Sequence, residues 1–131
     1  MTTKHPLDPQ RIRKVPAKFS WVDHRLVRDR HIEYCSHSAA ALYLFLVTVS
    51  DGQGLSYYSD ASLMQRLSMD NNKLVDARRN LLRLGLIAYR KPLYQVLALD
   101  APIPKGRRAT SLSDGPLSVG EILQQIMGGA P

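Results

Sequence analysis

The sequence predicts a small α+β domain in which three helices are followed by a two-strand hairpin. Three observations carry this. Residues 54–99 contain two short helical patterns set back to back. A Leu84-Gly85-Leu86-Ile87 stop ends the second pattern, and two β-type runs follow it, parted by a basic Arg90-Lys91-Pro92 turn. At 131 residues the chain has room for one ordinary domain plus tails, and its 44% hydrophobic content suffices for a small core.

Residues 1–18 scatter Pro6, Pro9 and Pro16 among Lys and Arg without an apolar period, so they read as a flexible basic arm. The domain is expected over 19–99. Between Phe19 and Tyr34, the apolar Phe19, Trp21, Val22, Leu26, Val27 and Ile32 are mixed with charges, a pattern that fits a short strand or a broken helix. Ser36-His37-Ser38 offers a serine cap, and residues 38–49 are apolar nearly all round, which predicts a helix buried on most sides. Asp51-Gly52-Gln53-Gly54 ends it, and Leu55 to Tyr58 reads as a short strand.

Ser59 then caps a helix over Asp60–Leu67, with Leu63, Met64 and Leu67 on one face. Ser68 is expected to break that helix and cap the next, Met69–Leu84. Leu74, Ala77, Leu81 and Leu84 form its inward stripe, with Val75 and Leu82 on the flank. Gly85 falls where a helix terminates in a left-handed residue. Leu86–Tyr89 and Leu93–Leu99 are the hairpin strands, with Pro92 in the turn, where no ladder hydrogen bond is needed. Pro102, Pro104, Gly106 and Gly115-Pro116 mark a linker over 100–116. Val119, Ile122, Leu123, Ile126 and Met127 then predict a short amphipathic helix over 117–128. That helix can pack back on the domain, pair with a second copy of the chain, or dock into a partner protein.

The chain carries 18 basic and 11 acidic residues, for a net charge of +7. The excess is concentrated in two places. Lys4, Arg11, Arg13, Lys14 and Lys18 lie in the arm against one acid, Asp8. Lys73, Arg78, Arg79, Arg83, Arg90 and Lys91 lie between residues 71 and 99 against Asp76 alone. Such a distribution suits a polyanionic partner, although small soluble domains are often basic without one. Cys35 is the single cysteine, so no internal disulfide forms and a cytoplasmic, nucleoid-associated protein is expected. The longest apolar run, 39–49, is too short to span a membrane, and no membrane partner is expected.

With the stripe turned inward, Asn71, Asn72, Lys73, Asp76, Arg79, Asn80 and Arg83 should project to solvent. Asparagine can pair with adenine through two hydrogen bonds, and Lys or Arg can reach guanine or phosphate. Residues near the start of such a helix reach deepest into a groove, so Asn71, Asn72 and Lys73 are the candidates for base contact, with Ser68 beside them as a further DNA-binding candidate. Asp76 can accept from cytosine or steady Arg79 or Asn80. Arg79 and Arg83 suit phosphates, while Arg90 and Lys91 at the hairpin turn and Arg11, Arg13 and Lys14 in the arm suit phosphates or an adjacent minor groove.

These features resemble the winged helix-turn-helix superfamily. The similarity is carried by Ala41 to Leu46 in the first helix, Leu63 to Ser68 at the turn, and Ala77-Arg78, Leu81 and Leu84 to Ile87 leading to the hairpin. It covers about residues 36–99. The pattern is most similar to replication-initiator and DnaD-like N-terminal domains, and more distantly to MarR-like and GntR-like regulators. The resemblance implies a three-helix core with a small antiparallel β-wing. It also implies duplex DNA as partner, with the helix at 69–84 in the major groove. The implied roles are replication initiation, a mobile-element accessory function, or transcription regulation. The rival reading is a winged-helix adaptor that recruits an ATPase or filament protein, and the acids at 70 and 76 and the short hairpin favour it.

No enzymatic activity, metal or cofactor is expected. His31, Cys35 and His37 lack a fourth zinc ligand of suitable spacing. No strained nucleophile turn accompanies His24, and Gly52-Gln53-Gly54 lacks the following Lys-Ser/Thr of a phosphate loop. Tyr57, Tyr58, Tyr89 and Tyr94 can stack on unpaired bases or fill the edges of a small sheet, and sheet filling is the commoner use.

Overall fold

The computed structural model describes residues 3–100. The predicted linker beyond Asp100 lies outside the described residues. So does the predicted helix over 117–128, with Val119, Ile122, Leu123, Ile126 and Met127.

The described chain is α+β, with four α-helices and a three-stranded antiparallel sheet. Helix α1 is Arg25–Arg28, α2 is His37–Val49, α3 is Asp60–Leu67 and α4 is Asn71–Arg83. The strands are β1 (Leu55–Tyr57), β2 (Ile87–Arg90) and β3 (Leu93–Val96), in the spatial order β1-β3-β2. The sequence α2-β1-α3-α4-β2-β3, with β1 returning to pair with the last strand, is compatible with a winged-helix arrangement.

Local chemistry sets most of the boundaries. The Ser36 hydroxyl accepts from the Ala39 N–H at 3.0 Å and starts α2, and the Ser59 hydroxyl accepts from the Ser62 N–H at 3.1 Å and starts α3. Ser68 does not cap the next helix. It takes a left-handed conformation (φ 54°) that closes α3, and its own N–H is spent on the Met64 carbonyl. Asp70 is the cap instead, its carboxylate accepting from the Lys73 N–H at 2.8 Å, so α4 begins two residues later than the sequence suggested. At the other end Gly85 (φ 73°) donates to the Leu82 carbonyl, and Leu86 donates to the Leu81 carbonyl. This paired closure requires the left-handed residue that glycine adopts at little cost.

The stripe of α4 is buried as predicted: Leu74, Ala77 and Leu81 are fully enclosed and Leu84 nearly so. They meet Leu42 and Leu46 of α2, Leu63 of α3, and Leu86, Ile87 and Tyr94 from the sheet side in one core. Each fully buried leucine contributes on the order of 2 kcal/mol. Helix α2 is buried or half-buried on most sides, as predicted, and only His37, Leu44 and Thr48, on one narrow stripe, are exposed. Ala39, Leu42, Tyr43, Leu46 and Val47 point inward, while Leu44 is 61% exposed and Thr48 is exposed.

Antiparallel pairing sets Tyr57 opposite Leu93 and Arg90 opposite the same Leu93, so the three strands are aligned row by row. The strand β2 runs one residue later at each end than predicted. Strand β3 stops at Val96, where the Val96 N–H donates to the Gly54 carbonyl at 2.8 Å. Gly54 is held at φ 85°, and a Cβ there would lie 2.6 Å from the Val96 carbonyl oxygen, so only glycine fits that corner.

The segment left open between strand and helix, 19–34, is helical where it is regular. It forms α1 and a 3-10 turn over His31–Tyr34. The turn is fastened to α4 by Asn80, which the sequence placed in solvent and which is in fact 7% exposed. Its side-chain oxygen accepts from the Ser36 N–H at 2.7 Å and its amide donates to the Tyr34 carbonyl at 3.1 Å. Both partners are backbone groups at the entry to α2. Asn80→Ala is therefore expected to lower stability by about 1–3 kcal/mol in urea unfolding, because it removes two hydrogen bonds made by one buried side chain. An unchanged midpoint would mean water replaces the amide without loss.

Candidate nucleic-acid interface

Helix α4 turns two different faces to its surroundings. Asn72, Asp76, Arg79 and Arg83 recur at helical spacing and form one outward row, flanked at the start by Asn71 and Lys73. Asn71, Asn72, Lys73, Asp76 and Arg79 are exposed, and Arg83 is half-buried. The two acids that could spoil this face are constrained differently. Asp70 is held in its cap, where it answers the unsatisfied N–H groups of the helix start. Asp76 faces Arg79 at 4.0 Å, with both side chains mostly in water, and exposed pairs of this kind hold a side chain weakly. Lys73 and Arg83 have no hydrogen bond or ion pair from their side chains among the described residues.

Arg78, one position from the inward stripe, is not part of that face. Its guanidinium meets Asp60 at the first position of α3 at 2.9 Å and the Tyr94 hydroxyl of β3 at 2.8 Å. It also lies 4.5 Å from the centre of the Tyr89 ring of β2. Burial works against its charge, but the hydrogen bonds to Asp60 and Tyr94 outweigh that and leave its pKa raised. Burial pushes the Tyr94 hydroxyl up to about 12, opposed by the Arg78 hydrogen bond. This cluster ties α3, α4 and the hairpin into one body, and so fixes where the hairpin stands relative to the outward row. Sequence reasoning passed over it. The available signals were an arginine beside the buried stripe, two tyrosines in the predicted strands, and an aspartate opening the preceding helix.

Arg90 and Lys91 are exposed at the end of β2 and in the hairpin turn, as expected. The turn also approaches β1, because the Tyr58 N–H donates to the Pro92 carbonyl at 3.1 Å. The tyrosines divide. Tyr94 is fully buried, Tyr58 packs edge-on against Phe45, and Tyr89 lies against Tyr94, all three filling the sheet. Tyr57 is 72% exposed.

The arm is placed elsewhere. Arg11 ends a 3-10 turn over Pro9–Arg11 that Asp8 caps, and Arg11, Arg13 and Lys14 are all exposed. The Ser20 hydroxyl donates to the Thr48 carbonyl at 3.1 Å, near the end of α2. Residues 19–25 continue beside Gly52–Gly54 and Val96–Asp100, lining a groove of about 610 Å³ with Phe19, Trp21, Tyr43 and Val47 on its walls. Arg25 closes one side by pairing with Asp23 at 2.7 Å and with Asp100 at 3.0 Å, and the Arg25 hydrogen bond lowers the Asp23 carboxyl to about 2. This is the end of the sheet remote from Arg90 and Lys91, since β3 runs from Leu93 at the hairpin turn to Val96 at the groove. The structure thus brings the α4 and hairpin candidates onto one rigid body, and roots the three arm cations at its far end. Fully extended, the chain from Arg11 to Ser20 reaches about 30 Å, enough to return along the domain.

Among the described residues no group of three or more His, Cys, Asp and Glu is arranged to hold a metal ion. His31 is buried with Nδ1 unpaired, and burial pushes the neighbouring Cys35 thiol up. No described helix is long and apolar enough to cross a membrane. No family model, curated protein or solved structure matches the chain.

Proposed function

We propose that this chain is a winged helix-turn-helix DNA-binding protein, with α4 as the recognition helix and the β2–β3 hairpin as the wing. The observation that carries the reading is the outward row of α4. It presents Asn71, Asn72 and Lys73 in the first turn and Arg79 and Arg83 behind them, with Asp70 withdrawn into the cap. Two amide side chains at the start of a solvent-facing helix supply base-edge hydrogen bonds, and the cations behind them meet the flanking phosphates. Arg90 and Lys91 add two exposed cations at the hairpin turn. A role in replication initiation, on a mobile element or in transcription regulation belongs to this reading.

The test is selection from a random-sequence duplex pool at two salt concentrations, with sequencing of the retained fraction. Enrichment of a motif, together with retention that falls steeply with salt, is the expected result. Absence of retention at low salt overturns the proposal.

A second reading, a protein adaptor, draws on a different surface. Phe19 and Trp21, 65% and 75% exposed, flank the serine that docks on Thr48, and Leu44 lies one turn before Thr48 on the same helix. Apolar groups so exposed fit a protein contact. That reading gains if the chain captures a protein partner while ignoring DNA.

A further inference from the structure

In the sheet, directly opposed residues point to the same side and successive residues to opposite sides. Tyr94 is fully enclosed and Ser56 and Tyr89 are its cross-strand neighbours, so that face packs on the core. The other face carries Leu55, Tyr57, Leu93, Gln95, Ala88 and Arg90. Ala88 is buried and Leu55, Leu93 and Gln95 are half-buried, so this face opens to solvent at Tyr57 and Arg90. Tyr57, Leu93 and Arg90 form a single row across all three strands, with a half-buried leucine between an exposed aromatic ring and an exposed guanidinium. Lys91 follows in the adjoining turn. Among the described strand residues, none on this face is acidic.

We propose that this exposed row at the hairpin-turn end of the sheet binds an unpaired nucleotide at the edge of a duplex. Tyr57 stacks on the base, and Arg90 and Lys91 take the neighbouring phosphates. The inference rests on the DNA-binding reading above and specifies the form of nucleic acid the same surface takes.

Two chemical facts select an unpaired nucleotide over other occupants. A base inside a duplex shows only its edges, its faces being covered by neighbours, whereas an unpaired base offers a face to an aromatic ring. The remaining groups in the row and turn are cationic, which complements a phosphodiester and repels a basic peptide. Tyr57 and Arg90 stand two strand spacings apart, about 10 Å between backbones, and the arginine stem covers much of that gap. Arg90 belongs both to this row and to the hairpin turn that the DNA-binding reading sets against the duplex backbone, so a strand leaving the duplex there meets the row. Tyr57 has no packing role to compete with this use, unlike the other three tyrosines of the sheet.

The experiment compares the full chain on a blunt duplex and on the same duplex extended by a short single strand, of either polarity. A fluorescent adenine analogue occupies the first unpaired position. The overhang is expected to tighten binding by about tenfold and to quench the analogue, as one added stacking contact does. Tyr57→Phe should keep both effects. Tyr57→Ala should lose both while leaving affinity for the blunt duplex unchanged. If the blunt duplex binds and the overhang adds nothing, or adds as much in Tyr57→Ala, the proposal is overturned and the DNA-binding reading stands. If neither probe binds, both fall.

Discussion

Replacing Lys73, Arg79 and Arg83 together by glutamine is expected to weaken duplex binding by at least about a hundredfold near 0.1 M salt. The log–log salt slope should become shallower by about 2.5–3, because each phosphate that no longer meets a protein cation keeps its counterion. Glutamine preserves helix propensity and length, and none of the three side chains is buried in the core. The Asp76–Arg79 pair at 4.0 Å is too exposed for its removal to matter much to stability. Fluorescence anisotropy over a salt series reads both affinity and slope, and circular dichroism checks the fold. Asn72→Ala is the companion variant, expected to relax sequence preference while leaving the slope alone. A triple variant with the wild-type slope would remove α4 from the interface.

The second large effect concerns stability. Arg78→Met keeps the stem that packs against the hairpin but removes the charge. The Asp60 carboxylate and the buried Tyr94 hydroxyl are then left without their common partner. A loss of about 2–3 kcal/mol in urea unfolding is expected, drawn from the range for half-buried, hydrogen-bonded charges. Tyr94→Phe and Asp60→Asn should each cost less, about 1 kcal/mol. Combined with Arg78→Met, either should cost less than the sum, because the guanidinium they share is already absent. Strict additivity would show that the three groups do not act together. Tyr94 also gives the domain an alkaline signature. An unfolded tyrosine titrates near 10 and the folded one at about 12, so the stabilisation is complete below pH 10 and is lost as pH rises through 12. Tyr94→Phe should flatten that decline.

The outward row of α4 was legible in advance because helix periodicity separates the faces. Once Leu74, Ala77, Leu81 and Leu84 are recognised as the buried stripe, Asn72, Asp76, Arg79 and Arg83 follow on the other side. The exceptions lie at the borders between faces. Asn80 and Arg78 flank the stripe, where helical spacing alone leaves exposure undetermined. What sits there depends on which neighbours arrive. Backbone groups at the end of the loop before α2 hold Asn80 inward, and an aspartate with two tyrosines drew in Arg78. The path of the segment that follows the arm was likewise illegible, since the docking of Ser20 on Thr48 is a polar contact without periodic signature.

Local sequence therefore accounts for what is encoded within a few residues. The caps at Ser36 and Ser59, the left-handed stop at Gly85 and the periodic spacing of the α4 stripe all rest on residues no more than a few turns apart. Competition between equally good local signals was settled by the assembled domain. Ser68 and Asp70 can both cap a helix, and packing α3 against α4 through a tight left-handed turn gave the role to Asp70. Leu44 reads as core by composition, yet it falls with His37 and Thr48 on the one narrow stripe of α2 left uncovered, so that leucine remains in water. The same limit, one small core with a finite number of inward positions, left Tyr57 as the exposed tyrosine of the sheet. Side-chain chemistry fixes what each residue is able to do, and the space available around one core determines which of them does it.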